Sequence, residues 1–287
     1  MTRCVAVVAG VAALLLAGCR TSLRVGTPGP LVHAARGADA GSGCTPCGTV
    51  WCCGPERGRP VGPAWTLSLE GGPVWTTRND AAIPGDTGTR FAIDDVTGAG
   101  PFAWTRAALT ARFGTRHELR FLYAPLDIEE SGRLAKDVTF RGRTFTAGSD
   151  VKARFRFDSW RATYRYLLAC GPDWSLKVGG TLKIRDAEIA LEDAGGRERK
   201  TDLGLVPLLH VAYERRLAPR WRFLADLDGL AAPQGRAFDL SARLLYDVDR
   251  RWSLGVGYRT LEGGADNDEV YTFSWLHQVF VALEARF

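Results

Sequence analysis

Two groups of residues in this chain have types and spacings that can do chemistry. The first is Cys44-Thr-Pro-Cys47, with Cys52-Cys53 close behind. A CxxC pair lets two thiolates reach one zinc ion or work as a redox couple. The adjacent second pair makes a poor tetrahedral chelator, and no thioredoxin-like βαβ pattern surrounds the first. Disulfide staples of undetermined connectivity are therefore the favoured expectation, with Cys170 as a further candidate. The second group is His210 with Glu214. Four residues apart on a strand, they share a face, where a carboxylate can orient a histidine base. His33 lies in an irregular segment, His117 at a short turn and His277 on an apolar face. No Ser-His-acid set can be assigned, and GxSxG, HExxH and P-loop patterns are absent. A histidine inside a charged array is more often structural. Catalysis is not the leading expectation, and neither a cofactor nor a metal site is expected.

The N-terminus reads as an address. Residues 1–19, MTRCVAVVAGVAALLLAGC, begin with a basic Arg3 and continue through an apolar stretch from Val5 to Ala17. That stretch is too short to span a bilayer and fits a signal peptide. Its end, Leu16-Ala17-Gly18-Cys19, resembles a bacterial lipobox. The resemblance implies removal of residues 1–18 and lipidation of Cys19. Arg20, which is not Asp, disfavours inner-membrane retention on the same resemblance. Residues 19–63 form a Cys-, Gly- and Pro-rich linker expected in the periplasm. Of 287 residues, 46% are hydrophobic and 24% charged, which excludes a disordered chain. The net charge, 37 − 32 = +5, is mild and spread out, which argues against a nucleic-acid binder. No later apolar run has the length of a membrane helix.

The elements that must carry these residues follow a period of two from Ala64 onward. In 174–185, Trp174, Leu176, Val178, Leu182 and Ile184 share one face, and Ser175, Lys177, Thr181, Lys183 and Arg185 the other. The pattern predicts ten strands: 64–77, 102–113, 117–127, 151–168, 174–188, 202–216, 220–229, 236–248, 251–261 and 270–287. Gly71-Gly72-Pro73 suggests a bulge, whereas Pro207 has no evident role within a strand. Short turns alternate with longer connections at 78–101, 128–150, 189–201 and 262–269. The segment 138–147 reads as a hairpin about Arg141-Gly142. Trp174, Trp221 and Trp252 each follow a short turn, as in an interfacial girdle.

The chain ends Val279, Val281, Leu283, Ala285, Phe287 on one face. With the alternation, the loop asymmetry and stretches such as ELRFLYAPL (118–126) and FDSWRATYRY (157–166), residues 64–287 resemble the bacterial outer-membrane β-barrel superfamily. The resemblance implies an all-β fold: a single up-and-down antiparallel transmembrane barrel of about ten strands. Its short turns would be periplasmic and its longer loops extracellular. It also implies contact with outer-membrane lipid and lipopolysaccharide, and recognition of Phe287 by the barrel assembly machinery. Alternation alone leaves open a soluble barrel with its apolar face inward.

On the membrane arrangement the polar face lines the lumen. It carries Arg106, Arg112, Arg120, Arg161, Arg165, Lys177, Lys183, Arg185, Arg222, Arg243 and Arg259, with His210 and the acids Glu118, Glu214, Asp226, Asp228, Asp239, Asp247 and Glu284. Such charges can satisfy one another inside a narrow, filled barrel. They can also form a basic constriction for small anionic solutes. The expected function is a structural or narrow-pore barrel without catalysis. The alternatives are an envelope lipid- or peptide-directed barrel enzyme, and a contact protein using loops 78–101 and 128–150.

Overall fold

The computed structural model describes residues 64–287 apart from Gln234, together with the short strands β1 (Pro46–Cys47) and β2 (Val50–Trp51). Cys19, Cys44, Cys52 and Cys53 lie outside the described residues, as does the side chain of Cys47, so the lipid anchor and the cysteine staples fall beyond what is described.

Ten antiparallel strands close on themselves: β3 (Ala64–Ala82), β5 (Phe102–Phe113), β6 (His117–Ala124), β10 (Asp150–Cys170), β11 (Trp174–Asp193), β12 (Gly196–Ala218), β13 (Trp221–Ala232), β14 (Gly235–Asp247), β15 (Trp252–Asp266) and β16 (Tyr271–Arg286). Closure joins β16 to β3, and Phe287 and Trp65 exchange backbone hydrogen bonds of 2.9 and 3.0 Å at the seam. A closed ladder pairs most backbone groups strand to strand, which is what a membrane-crossing sheet requires.

The alternation resolves with the apolar face outward. Phe121, Leu182, Ile184, Leu209, Leu254, Val256 and Val281 are exposed, whereas Arg120, Arg161, Thr163, Lys183, His210 and Asp239 are buried in the lumen. This excludes the soluble-barrel alternative, because a soluble barrel hides its apolar face. Trp221 and Trp252 are exposed at the turn end, and Trp160 and Trp275 at the loop end. Trp160 stacks on Tyr123 at 3.9 Å. Between the two belts, the stretch from Trp275 to Ala285 rises about 25 Å at ~3.4 Å per residue and a tilt near 40°, the height of a membrane band.

Several expectations change at the loop end. Segments 189–201 and 262–269 are not long loops: β11 and β12 run on to a tight turn after Asp193, and β15 runs to Asp266. Above the lipid both faces of a strand meet water, so the period-two signal fades while the ladder continues. The connection after β6 holds β7 (Asp127–Arg133), which pairs with β10 as β6 does below it. It then forms a hairpin of β8 (Val138–Phe140) and β9 (Arg143–Phe145). Arg141 and Gly142, with φ of 52° and 83°, make its turn, where glycine carries a positive φ without strain. The connection after β3 holds β4 (Phe91–Ala92) and one helical turn, α1 (Asp94–Thr97).

The prolines take distinct places. No bulge forms at Gly71-Gly72-Pro73. The β3–β16 pairing lapses at Gly72 and Pro73 and resumes in the same register, and the actual register shift lies beside Trp275 and Leu276. Pro207 pairs with Leu182 of β11 but stands beyond Leu209–Gly229, the last pair between β12 and β13. It occupies a strand edge, where a missing N–H costs little.

Candidate functional site

The lumen is crossed by one continuous array of buried ion pairs. Near the turn end, Lys177 reaches Glu118 at 2.6 Å, and Arg222 reaches Glu214 at 3.1 Å and Glu284 at 3.0 Å. Higher up, Arg243 and Arg106 share Glu70, at 2.5 and 3.3 Å. Asp226 receives Arg165 at 2.6 Å and Arg120 at 3.5 Å. Asp228 receives Arg161 at 2.9 Å, and Asp239 receives Arg161 at 2.5 Å together with Arg259. Trp104 covers Arg259 by a cation–π contact of 5.9 Å. The low dielectric that makes such pairs strong also makes an unmatched member costly, so the array is a rigid filling.

Glu70 is the residue that the sequence did not single out. Its alternation with Leu67 and Leu69 on β3 was the available signal. His210 and Glu214 are not brought together. Along a strand, four residues span about 13 Å, beyond hydrogen-bond reach. His210 instead faces its direct cross-strand neighbour Asp228, with Nδ1 at 2.6 Å from the carboxylate. The Arg165 Nε–H donates to His210 Nε2 at 2.9 Å. An accepting Nε2 places the ring proton on Nδ1, where it is donated to Asp228. Both ring nitrogens are engaged and the side chain is buried, so the ring has no lone pair to offer as a base. Thr181 Oγ1 completes the group by donating to Asp228 at 2.7 Å.

Above this filling the loop end divides in two. On one side the long connections form an apolar lid. Phe140 and Phe145 of the hairpin are fully buried with Ile93, Val138, Val151 and Leu191, and Phe91 meets Phe140 edge-on at 6.3 Å. Backbone bonds from Arg141 N to Ile83 O, 2.8 Å, and from Thr89 N to Thr139 O, 3.0 Å, fasten the hairpin across the mouth. On the other side lies a cavity of about 560 Å³, walled by Phe155, Phe157, Ile189, Leu208, Phe238, Leu261 and Leu276 and floored by Arg161, Lys183 and Asp239. Near the turn end a gap of about 20 Å³, room for one water, lies beside Lys177, Glu214 and Arg243.

Fold and burial together define a membrane-spanning β-barrel of the outer-membrane type, with a charged, filled lumen. No protein-family model and no curated protein sequence matches the chain. Among solved structures, the chain is similar to the outer membrane protease OmpT of Escherichia coli, with a TM-score of 0.49 and 8% identity over 78% of this chain and 97% of that one. It is also similar to the attachment invasion locus protein Ail of Yersinia pestis, with a TM-score of 0.36 and 10% identity over 78% and 99%. The Pseudomonas putida toluene transporter TodX gives a TM-score of 0.27 and 10% identity over 79% and 90%. A protease, an attachment protein and a transporter at such scores carry no functional assignment for this chain.

Proposed function

We propose that this chain is a bacterial outer-membrane barrel with a sealed lumen, serving a structural or binding role, neither conducting ions nor performing catalysis. The observation that supports this most directly is the buried array from Glu118 and Arg222 up to Arg259 and Trp104, in which Arg161, Arg165 and Arg259 each meet a carboxylate. A pore needs charges that face water and release ions easily. These are turned toward one another. The enzyme alternative loses its best candidate, because His210 holds Asp228 and Arg165 with its two nitrogens.

The reading includes the features drawn from sequence alone: the anchor at Cys19, staples among Cys44, Cys47, Cys52, Cys53 and Cys170, and use of Phe287 by the assembly machinery. The test is planar-bilayer recording of the heat-modifiable, folded barrel. The wild-type protein should stay silent, and Arg161→Ala with Arg259→Ala should introduce small, salt-dependent steps. Stable steps from the wild-type protein would overturn the sealed-lumen reading.

A further inference from the structure

The barrel wall is uneven at the loop end. β12 continues to Gly196, paired with β11 throughout, whereas β13 and β14 turn back at Ala232 and Gly235. From Leu208 upward, β12 therefore has no partner on its β13 side. Pro207 sits on this free edge, and Leu205 and Leu230, both exposed, form its lower lip within the apolar belt. The cavity opens between these strands: Val206, Pro207 and Leu208 line it on one side, and Leu230 and Ala232 on the other.

The buried charges of the cavity are unevenly paired. Four of its five acids are matched by arginines: Asp239 by Arg161 and Arg259, Glu188 by Arg197 at 3.1 Å, Glu262 by Arg236 and Asp202 by Arg185, and the fifth, Glu269, is exposed at the rim. Lys183 has no such match. It is 5% exposed and its ammonium lies 4.6 Å from the Phe157 ring centre, with no ion pair among the described residues. Next to it, Nη2 of Arg161 is buried without a hydrogen-bond partner. A buried cation lacking a counter-charge is costly unless a ligand supplies one. The volume is in the range of small-molecule sites, about 300–1,000 Å³.

We infer that this cavity binds an anionic amphiphile. A single carboxylate or phosphate head would be held by Lys183 and Arg161 Nη2, and a hydrocarbon tail would lie among Phe155, Ile189, Leu208 and Leu261. The open β12–β13 edge would be the route from the surrounding lipid. This goes beyond the sealed-lumen reading and does not depend on it, since a conducting barrel could still bind and a silent one could still fail to.

The experiment places the folded full chain in nanodiscs and follows dansyl-labelled undecanoate, whose emission rises in an apolar site. Wild-type protein should bind it saturably at one equivalent. Dodecanoate and dodecyl phosphate should compete, and which is stronger identifies the head group. Dodecanol and inorganic phosphate should not compete, because each lacks one half of the ligand. Lys183→Gln should weaken binding at least tenfold while raising the urea midpoint of the unliganded barrel, since it removes an unmatched buried charge. Leu208→Trp should abolish binding by filling the tail space with the charge intact, and Ala232→Trp should slow uptake from lipid. Non-saturable uptake, displacement by dodecanol equal to that by dodecanoate, or unchanged binding in folded Lys183→Gln would each overturn the assignment.

Discussion

Asp239 holds the guanidiniums of Arg161 and Arg259 at once, and all three side chains are buried. Asp239→Asn should therefore destabilise the folded barrel by about 3–5 kcal/mol, because it leaves Arg259 buried without its carboxylate and Arg161 with Asp228 alone. Urea titration of liposome-folded protein, followed by tryptophan emission, measures this. At the loop-end rim, above the membrane band, Asp80 accepts from Arg78 at 2.8 Å and from Arg90 at 2.9 Å. Partial burial pushes its carboxyl up, but the two hydrogen bonds outweigh it and hold the group below its ordinary value. A depressed carboxyl contributes stability that is present above its unfolded value and lost as pH falls through the folded one. Protection of residues 78–92 from hydrogen exchange should hold from neutral pH to about pH 5 and then decline further into acid. Asp80→Asn should show the loss already at neutral pH. Sequence alternation was enough to place the charged residues in the lumen, but not to pair them. Register decides which side chains meet, and register brought Asp228, not Glu214, to His210.

The hairpin β8–β9 behaves as a plug of packing over the mouth. Phe140→Ala removes a ring with 0% exposure and should cost about 3–5 kcal/mol. The cost should appear locally, as new trypsin cleavage at Arg141 and Arg143 with the barrel still heat-modifiable. In the membrane band, Val256 is exposed between Trp252 and Tyr258 on β15. Val256→Arg should cost about 2–4 kcal/mol in folding into liposomes, as a cation facing the bilayer midplane. The strands within the band were legible because lipid on one side and charge on the other enforce strict alternation. The extensions were not, since the alternation fades over 189–201 and that segment reads as a polar connection. Acids of 186–202 pair along and across strands, as Glu188 does with Arg197 at 3.1 Å. Pro207 was opaque for a related reason: the absence of a neighbouring strand is a property of topology, invisible from one strand's sequence.

At the scale of the molecule, a ten-stranded wall is narrow enough for side chains to fill, and this chain fills it with charges that, Lys183 aside, are largely paired. The apolar exterior and polar interior invert the plan of a soluble protein, so detergent removal without lipid should drive aggregation that light scattering detects. The tall β10–β12 wall and the low β13–β14 hairpin give the barrel a front and a back within the plane of the membrane. Its azimuth therefore matters. A neighbour packed against β13 and β14 would obstruct that low side, whereas one packed against β3 and β5 would leave it open, so crowding acts on this protein according to the direction from which it comes.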